Sequence, residues 1–281
     1  MNRRRFVQSL CSVPVGATCL TQFECVSRAK NEQFGIILSS LKSEVKENPD
    51  QVFNALAKAG YTYIESIGRY GIPAEHTMPS IVKYGLKPIS TGDGMSSLLS
   101  NTSHYLQLAQ TYDLPYIICY YPWLDSAENL THQQCFEAAD NLNRIAKIVN
   151  ENGRKFAWHN HDKEFYSLKD HTSPFKIIME NTDQDLVNLE LDIFWVKSAG
   201  YEPLKIMEEY KDRITILHLK DMRADERNKN TAPGKGIIDF KSILKEKEQT
   251  AIEYLIVEFA GEDLGVEEAI ESIRYLKSLG A

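Results

Sequence analysis

Eight short apolar runs, each followed by a longer polar or amphipathic segment, organise the chain from Phe34 onward. The runs are rich in β-branched and aromatic residues and are bounded by turn or polar residues, as buried parallel strands are. They begin at Phe34, Tyr61, Lys87, Pro115, Lys155, Val187, Ile214 and Tyr254. Eight strand–helix units in about 250 residues is the arrangement that closes a (β/α)8 barrel.

The segments between these runs have helical periodicity. Residues 48–60 present one apolar face and stop at Gly60, and residues 131–153 run from a capping Thr131 to Gly153 with one apolar stripe. A doubly wound open sheet is the alternative, but it usually carries a glycine-rich phosphate turn after its first strand, and "FGIILSSLKSE" has none. The pattern predicts an α/β fold, a (β/α)8 TIM barrel over residues 31–281.

Ionisable side chains stand at the ends of five predicted strands. They are Glu65, His159, His161, Glu190, Asp192, His218, Lys220, Asp221 and Glu258. Side chains two residues apart share one face of a strand, so His159 and His161 point the same way. Burying these groups is costly unless they pair or bind a cation, and imidazole with carboxylate suits a divalent transition metal. The C-terminal ends of the strands, where barrels carry their active residues, therefore form a predicted metal site.

Each of these residues also has an ordinary structural explanation. A histidine at a strand end is often a hydrogen-bonded core residue, Asp192 could cap the following turn, and Glu258 could pair with a lysine. Lys220 could hold a developing oxyanion, donate a proton, or form a salt bridge to Asp192 or Glu190. Convergence from four neighbouring strands favours the shared metal site over four separate explanations.

Four motifs together resemble the sugar phosphate isomerase/epimerase family of xylose-isomerase-like TIM barrels: "AWHNHDKEF", "LELDIFWV", "ILHLKDM" and "LIVEFA". The resemblance covers residues 34–281, and "PGKGIIDF" is similar to a glycine-containing loop of that family. It implies one divalent metal ion (manganese, zinc, cobalt or magnesium) held by His159, Asp192, His218 and Glu258. His159 stands where the family usually has a glutamate, because the pattern reads "HNH" instead of "ENH".

The resemblance also implies a reaction through an enediolate on a keto-sugar or ketose. Glu258, Glu65 and His161 are the candidate bases, Lys220 is a candidate proton donor, and His161 is either a second ligand or a substrate contact. Four aromatic residues are candidates for a sugar platform, although such residues also pack loops: Trp195, Phe194, Trp123 and Tyr121.

Three functions are compatible with this site. The first is a metal-dependent isomerase or epimerase, although His159 replaces the glutamate, and Trp195 the histidine, that ketose 3-epimerases carry. The second is a lyase or hydratase that takes the C2 proton from a 3-keto-glycoside and expels the C1 substituent. The third is a non-catalytic sugar-binding barrel, which a measurement of bound metal would distinguish from an enzyme.

The first thirty residues resemble a twin-arginine export signal. "MNRRRFVQSL" places Arg3 and Arg4 before a modestly apolar stretch, which predicts export to the periplasm, although a short basic helix is the alternative. These residues hold five of the 32 basic and one of the 39 acidic side chains, so residues 31–281 carry a net charge of −11. That charge argues against a nucleic-acid partner.

Three further expectations follow from the sequence. No apolar stretch reaches the roughly 20 residues that span a bilayer, so we expect no membrane span. Cys119 lies in an apolar run and is expected to be a buried thiol, with a disulfide to Cys135 as the open alternative. The sequence leaves the oligomeric state open, a homo-oligomer included, and a small sugar is the expected partner.

Overall fold

The computed structural model describes residues 33–261 and 264–280. Nine parallel strand segments form one sheet, in the order β3-β2-β1-β11-β8-β7-β6-β5-β4. They are β1 (Phe34–Ile37), β2 (Tyr63–Glu65), β3 (Lys87–Pro88), β4 (Ser90–Gly94), β5 (Tyr116–Tyr121), β6 (Lys155–His159), β7 (Val187–Asp192), β8 (Ile214–Leu219) and β11 (Tyr254–Val257). A short antiparallel ribbon, β9 (Asp221–Met222) and β10 (Asn230–Thr231), follows β8. The predicted export signal, residues 1–30, lies outside the described residues and stays a prediction.

Ile89 joins the two ends of this sheet. Its amide donates to the carbonyl oxygen of Ile64 in β2 at 2.9 Å, and its own carbonyl oxygen accepts from the amide of Tyr116 in β5 at 3.1 Å. The segments β3 and β4 are therefore two parts of one strand that flank Ile89, and the sheet closes on itself. The eight-stranded TIM barrel predicted from the sequence is confirmed.

Helices follow the strands around the outside of the barrel. They are α1 (Lys42–Glu47), α2 (Pro49–Ala59), α3 (Ala74–Lys83), α4 (Met95–Ser100), α5 (Thr102–Thr111), α6 (His132–Glu151), α7 (Pro174–Asn181), α8 (Ile193–Ser198), α9 (Pro203–Glu209), α10 (Phe240–Lys247) and α11 (Val266–Ser278). Thr131 and Gln134 cap α6 reciprocally, and Gly60 ends α2 with a left-handed backbone at φ 96°. Among the described helices, none combines the length and apolarity that crossing a membrane requires.

The barrel interior is apolar up to the level where the ionisable side chains begin. One cluster of buried residues fills it: Ile37, Ile89, Tyr116, Ile118, Tyr120, Ala157, Ile216 and Ile256. The rings of Tyr63 and Tyr116 both pack edge-on against Tyr254, with centroids 4.9 and 5.9 Å away. Because this packing fills the lower and middle parts of the barrel, its polar chemistry is confined to the C-terminal ends of the strands.

The two cysteines of the described chain are buried and both are free thiols. Cys119 lies in β5 and Cys135 lies in α6, so the two are on different layers of the barrel. Burial raises the pKa of the Cys119 thiol to about 12 and that of Cys135 to about 11. The buried thiol expected at Cys119 is confirmed, and the disulfide alternative is not observed.

We predict that Gly92→Ala destabilises the barrel strongly, whereas Gly94→Ala on the same strand does not. A Cβ atom at Gly92 would lie 2.0 Å from the carbonyl oxygen of Ile118, which is backbone and cannot rotate away. At Gly94 the nearest atom would be 3.6 Å away, and φ is −68°. Urea unfolding should show a loss of roughly 1–3 kcal/mol for Gly92→Ala and within about 0.5 kcal/mol for Gly94→Ala. Equal losses would contradict this account of the strand pairing.

Candidate functional site

Four side chains from four adjacent strand ends converge at the top of the barrel. They are His159, Asp192, His218 and Glu258, and one ligand atom of each lies within 4.8 Å of the others. Strand register produces this convergence, because Asp192 pairs with His218 across β7 and β8, and His159 pairs with Glu190 across β6 and β7. The structure thus brings together the four residues that the sequence analysis gave as metal ligands.

Buried carboxylates orient the two histidines from below. The Oε1 atom of Glu190 lies 2.8 Å from Nδ1 of His159 and 3.1 Å from Nε2 of His218. Glu65 adds a second contact, because its Oε2 atom lies 3.2 Å from the same His218 nitrogen. The other nitrogen of His218, Nδ1, lies 2.7 Å from Oε2 of Glu258, within the four-residue cluster. Metal-ligating histidines are commonly held in this way, with the other ring nitrogen bound to a carboxylate.

The donor set fits a divalent metal ion. Two imidazole nitrogens and two carboxylates suit zinc, manganese or a similar ion. The Oδ2 atom of Asp192 is buried and has no hydrogen-bond partner among the described residues, although the ammonium of Lys220 lies 3.5 Å away. Its Oδ1 atom accepts from the amide of Phe194 at 2.8 Å, so Asp192 caps α8 with one oxygen and offers the other to the centre.

The electrostatics of the cluster favour a bound cation. Burial, reinforced by the charge of Glu65, raises the pKa of Glu190 to about 8. Burial also raises the pKa of Asp192 to about 6, against the opposing effect of Lys220. A raised pKa means that the ionised form of these carboxyl groups is unfavourable in the protein alone. A bound cation would stabilise that ionised form.

Lys220 lies over the cluster as a fixed positive charge. Its Nζ atom donates to Oε1 of Glu258 at 3.0 Å, and it lies 4.9 Å from the centroid of the Trp195 ring. Burial alone would lower the pKa of Lys220, but Glu258 and Asp192 outweigh burial and raise it. The salt bridge that the sequence suggested for Lys220 is therefore present, and its partners are Asp192 and Glu258. The ammonium group also faces the ring of Trp195, which forms an aromatic wall of the site.

His161 forms the side of the site next to that wall. Its ring centroid is 4.9 Å from that of His159 and 5.4 Å from that of Trp195. Its Nδ1 atom is buried and has no hydrogen-bond partner in the part of the chain that the structure describes. Burial lowers the pKa of His161 to about 4, so the imidazole is neutral near pH 7.

Glu164 is a structural link that the sequence analysis missed. Its Oε1 atom accepts from Nε1 of Trp123 at 2.6 Å, and its Oε2 atom accepts from the amide of His161 at 2.6 Å. Burial raises the pKa of this carboxyl group to about 7. Trp123 is thereby fixed beside His161. The spacing between His161 and Glu164 was the available sequence signal, because a carboxylate three residues later can accept a hydrogen bond from the amide of His161.

The remaining predicted residues lie at different depths. Glu65 is fully buried and accepts from the hydroxyl of Tyr120 at 2.9 Å, and Phe194 is buried beneath Trp195. Tyr121 is 38 % exposed and follows the inward-facing Tyr120 on the opposite face of β5. Tyr116, Ile118 and Tyr120 are two residues apart and share the inward face of β5. This alternation could have identified Tyr120, instead of Tyr121, as the tyrosine that faces the site.

The sequence matches the xylose isomerase-like TIM barrel family over residues 53–279. The chain belongs to this family. A similar curated relative is the inosose dehydratase of Clostridium beijerinckii, 30% identical over 159 residues, which are 50% of this chain and 52% of that protein. The chain thus spans about half the length of the curated relative it matches.

Solved structures of this xylose isomerase-like fold superpose on nearly the whole barrel. A sugar phosphate isomerase/epimerase from Parabacteroides distasonis has a TM-score of 0.72 at 23% identity, covering 88% of this chain and 94% of that one. The 3-keto-D-glucoside 4-epimerase of E. coli has a TM-score of 0.66 at 15% identity, covering 88% and 99%. The IOLI protein, solved with a bound zinc atom, has a TM-score of 0.68 at 16% identity, covering 89% and 98%. At these identities the likeness shows the fold.

We predict that Glu164→Ala lowers the stability of the protein and frees Trp123. The change leaves the indole N–H and the His161 amide without their acceptor, and each buried unpaired donor costs about 1–3 kcal/mol. Urea unfolding should register that loss, and tryptophan fluorescence should shift as the indole moves. Glu180→Ala is the control, because its partner Lys176 is an exposed i,i+4 neighbour worth under about 0.5 kcal/mol. Equal stability of the two variants would contradict the proposed role of Glu164.

Proposed function

We propose that this protein is a metal-dependent enzyme that removes the proton next to the carbonyl of a keto-sugar or ketose. The observation that carries the proposal is the convergence of four ligand atoms within 4.8 Å, beneath the ammonium of Lys220 and beside the neutral imidazole of His161. A cation site, a fixed positive charge and a proton acceptor are the parts that carbon–hydrogen bond cleavage next to a carbonyl requires.

His159, Asp192, His218 and Glu258 would hold the metal ion, and the ion would polarise the substrate carbonyl. The ammonium of Lys220, fixed between Glu258 and Asp192, provides positive charge where the substrate oxygen becomes negative. His161, with its free Nδ1 atom, or the carboxylate of Glu258 accepts the proton from carbon. Trp195 gives the substrate an apolar wall that limits access of water.

The fate of the resulting enediolate distinguishes an isomerase or epimerase from a lyase. Return of a proton to the other carbon of the enediolate gives isomerisation, and return to the same carbon from the opposite face gives epimerisation. A lyase instead breaks the C–O bond on the neighbouring carbon, forms a carbon–carbon double bond and protonates the departing oxygen from Lys220 or His161. The similarity to an inosose dehydratase, whose name describes loss of water, favours elimination as the second candidate. For a 3-keto-glycoside, the C2 proton and the C1 substituent would leave.

We predict that the purified protein retains a divalent metal ion and that Asp192→Asn and His218→Ala each lose it. The reason is that each change removes one of the four converging ligands. Elemental analysis of the protein after gentle purification is the measurement. The control is Asp140→Asn, an exposed carboxylate on α6, which should retain the metal. Full retention in both site variants would rule out this metal site, and an absence of metal in the unchanged protein would favour the non-catalytic sugar-binding barrel.

We predict that the metal-loaded protein exchanges the hydrogen next to the carbonyl of an accepted keto-sugar in heavy water. Glu258→Gln should slow turnover by roughly 10²–10⁴-fold, because it removes a candidate base. Glu253→Gln, on the residue preceding β11 at the opposite end of the barrel, should have little effect. Nuclear magnetic resonance of the substrate and product detects the exchange, and an unsaturated product identifies the lyase. Turnover of a good substrate without cleavage of that bond would overturn the proposal.

A further inference from the structure

Barrel enzymes commonly bind a substrate phosphate with the loops after their seventh and eighth strands and with a nearby helix N-terminus. In this chain the seventh and eighth barrel strands are β8 and β11. The corresponding backbone groups lie in the loop "PGKGI", residues 233–237, and in the first turn of α11. The hydrogen-bond partners of these groups decide whether they are available to a phosphate.

Asp221 occupies the first of these positions. Its carboxylate accepts from the amides of Gly234, Gly236 and Ile238 at 3.0, 2.9 and 3.0 Å. The contact is close, since a Cβ atom at Gly236 would lie 2.4 Å from an oxygen of Asp221. Asp221 is 1% exposed, so it belongs to the interior of the fold. The loop amides therefore already hold an anion, and that anion is part of the chain.

Glu44 and Glu268 occupy the second position. The Oε1 atom of Glu44, in α1, accepts from the amide of Val266 at 3.1 Å, and Oε2 of Glu268 accepts from the amide of Gly265 at 2.9 Å. These two amides are among the donors at the start of α11, a helix of 13 residues, that could otherwise bind a phosphate. Glu44 follows β1, which pairs with β11 far away in the sequence, so only the tertiary fold brings it to this helix.

The charges around these positions would also repel a phosphate. A cavity of about 840 Å³ beside the first turn of α11 is lined by three carboxylates and one lysine, and also by three serines: Glu44, Glu267, Glu268, Lys42, Ser39, Ser40 and Ser43. Lys235, the cation of the glycine loop, lies 2.8 Å from a carboxylate oxygen of Glu271. In the cavity a phosphate dianion would meet three carboxylates and one lysine, and at the glycine loop it would meet a lysine that is already paired.

From these contacts we infer that the enzyme takes an unphosphorylated sugar, because Asp221 and Glu44 occupy the backbone positions at which a phosphate would bind. The inference rests on the proposed function only in assuming that the substrate is a sugar. The expected substrates are uncharged keto-sugars and ketoses, in contrast to sugar phosphates.

The test is a calorimetric titration of the metal-loaded full chain with fructose, fructose 6-phosphate and inorganic phosphate. We expect fructose to bind more tightly than its ester, and we expect no saturable binding of inorganic phosphate at millimolar concentration. Tighter binding of the ester would overturn the inference, and so would phosphate binding that Lys235→Ala abolishes. Phosphate binding that neither Lys235→Ala nor added fructose changes lies away from the sugar site and agrees with the inference, whereas phosphate binding that fructose displaces would overturn it.

A charge-neutral variant tests the cause of the preference. Glu44→Gln keeps an oxygen for the Val266 amide but removes the charge, so the preference for fructose over its ester should fall by about 2- to 30-fold. Glu151→Gln, at the C-terminal end of α6 and remote from this position, is the matched control and should leave the preference unchanged. An unchanged preference in Glu44→Gln would overturn the role of this carboxylate. Should fructose bind preferentially without any hydrogen exchange, the substrate class stands and the proposed reaction fails.

Discussion

The carboxylate of Glu190 is the contact on which the candidate metal site depends. One oxygen, Oε1, engages His159 from β6 and His218 from β8, so one fully buried side chain contacts both rings, and Glu65 adds a second contact to His218. If that oxygen were displaced, each imidazole could rotate away from the centre. Contacts of this kind commonly change metal affinity 10- to 100-fold when removed. Glu190 therefore belongs to the site although it points away from its opening.

Buried charge of this density is stable only because opposite charges and hydrogen bonds surround it. Glu258 illustrates the balance: burial would raise the pKa of its carboxyl group, but Lys220 and His218 outweigh burial and lower it well below its usual range. The apolar interior below, with Ile216 and Ile256, excludes water and strengthens each of these contacts. The site is thus costly to assemble and sensitive to the loss of any one partner.

The rim of the barrel carries a second set of carboxylates with a different task. Asp221 accepts hydrogen bonds from backbone amides of the loop 233–237, and Glu44 accepts one from the first turn of α11. A shared fold leaves the reaction and the substrate undetermined, because both depend on such side chains at the strand ends.

The sequence by itself determined the barrel, and its family resemblance indicated the four side chains that converge. Strand periodicity and capping residues such as Thr131 are local signals, and His159, Asp192, His218 and Glu258 each stand at a strand end that can be located from the chain alone. The contacts of Glu190 with both histidines and of Glu44 with α11 were decided by the tertiary structure. These contacts join residues far apart in sequence, and their distances depend on strand register and on closure through Ile89, which no local pattern specifies.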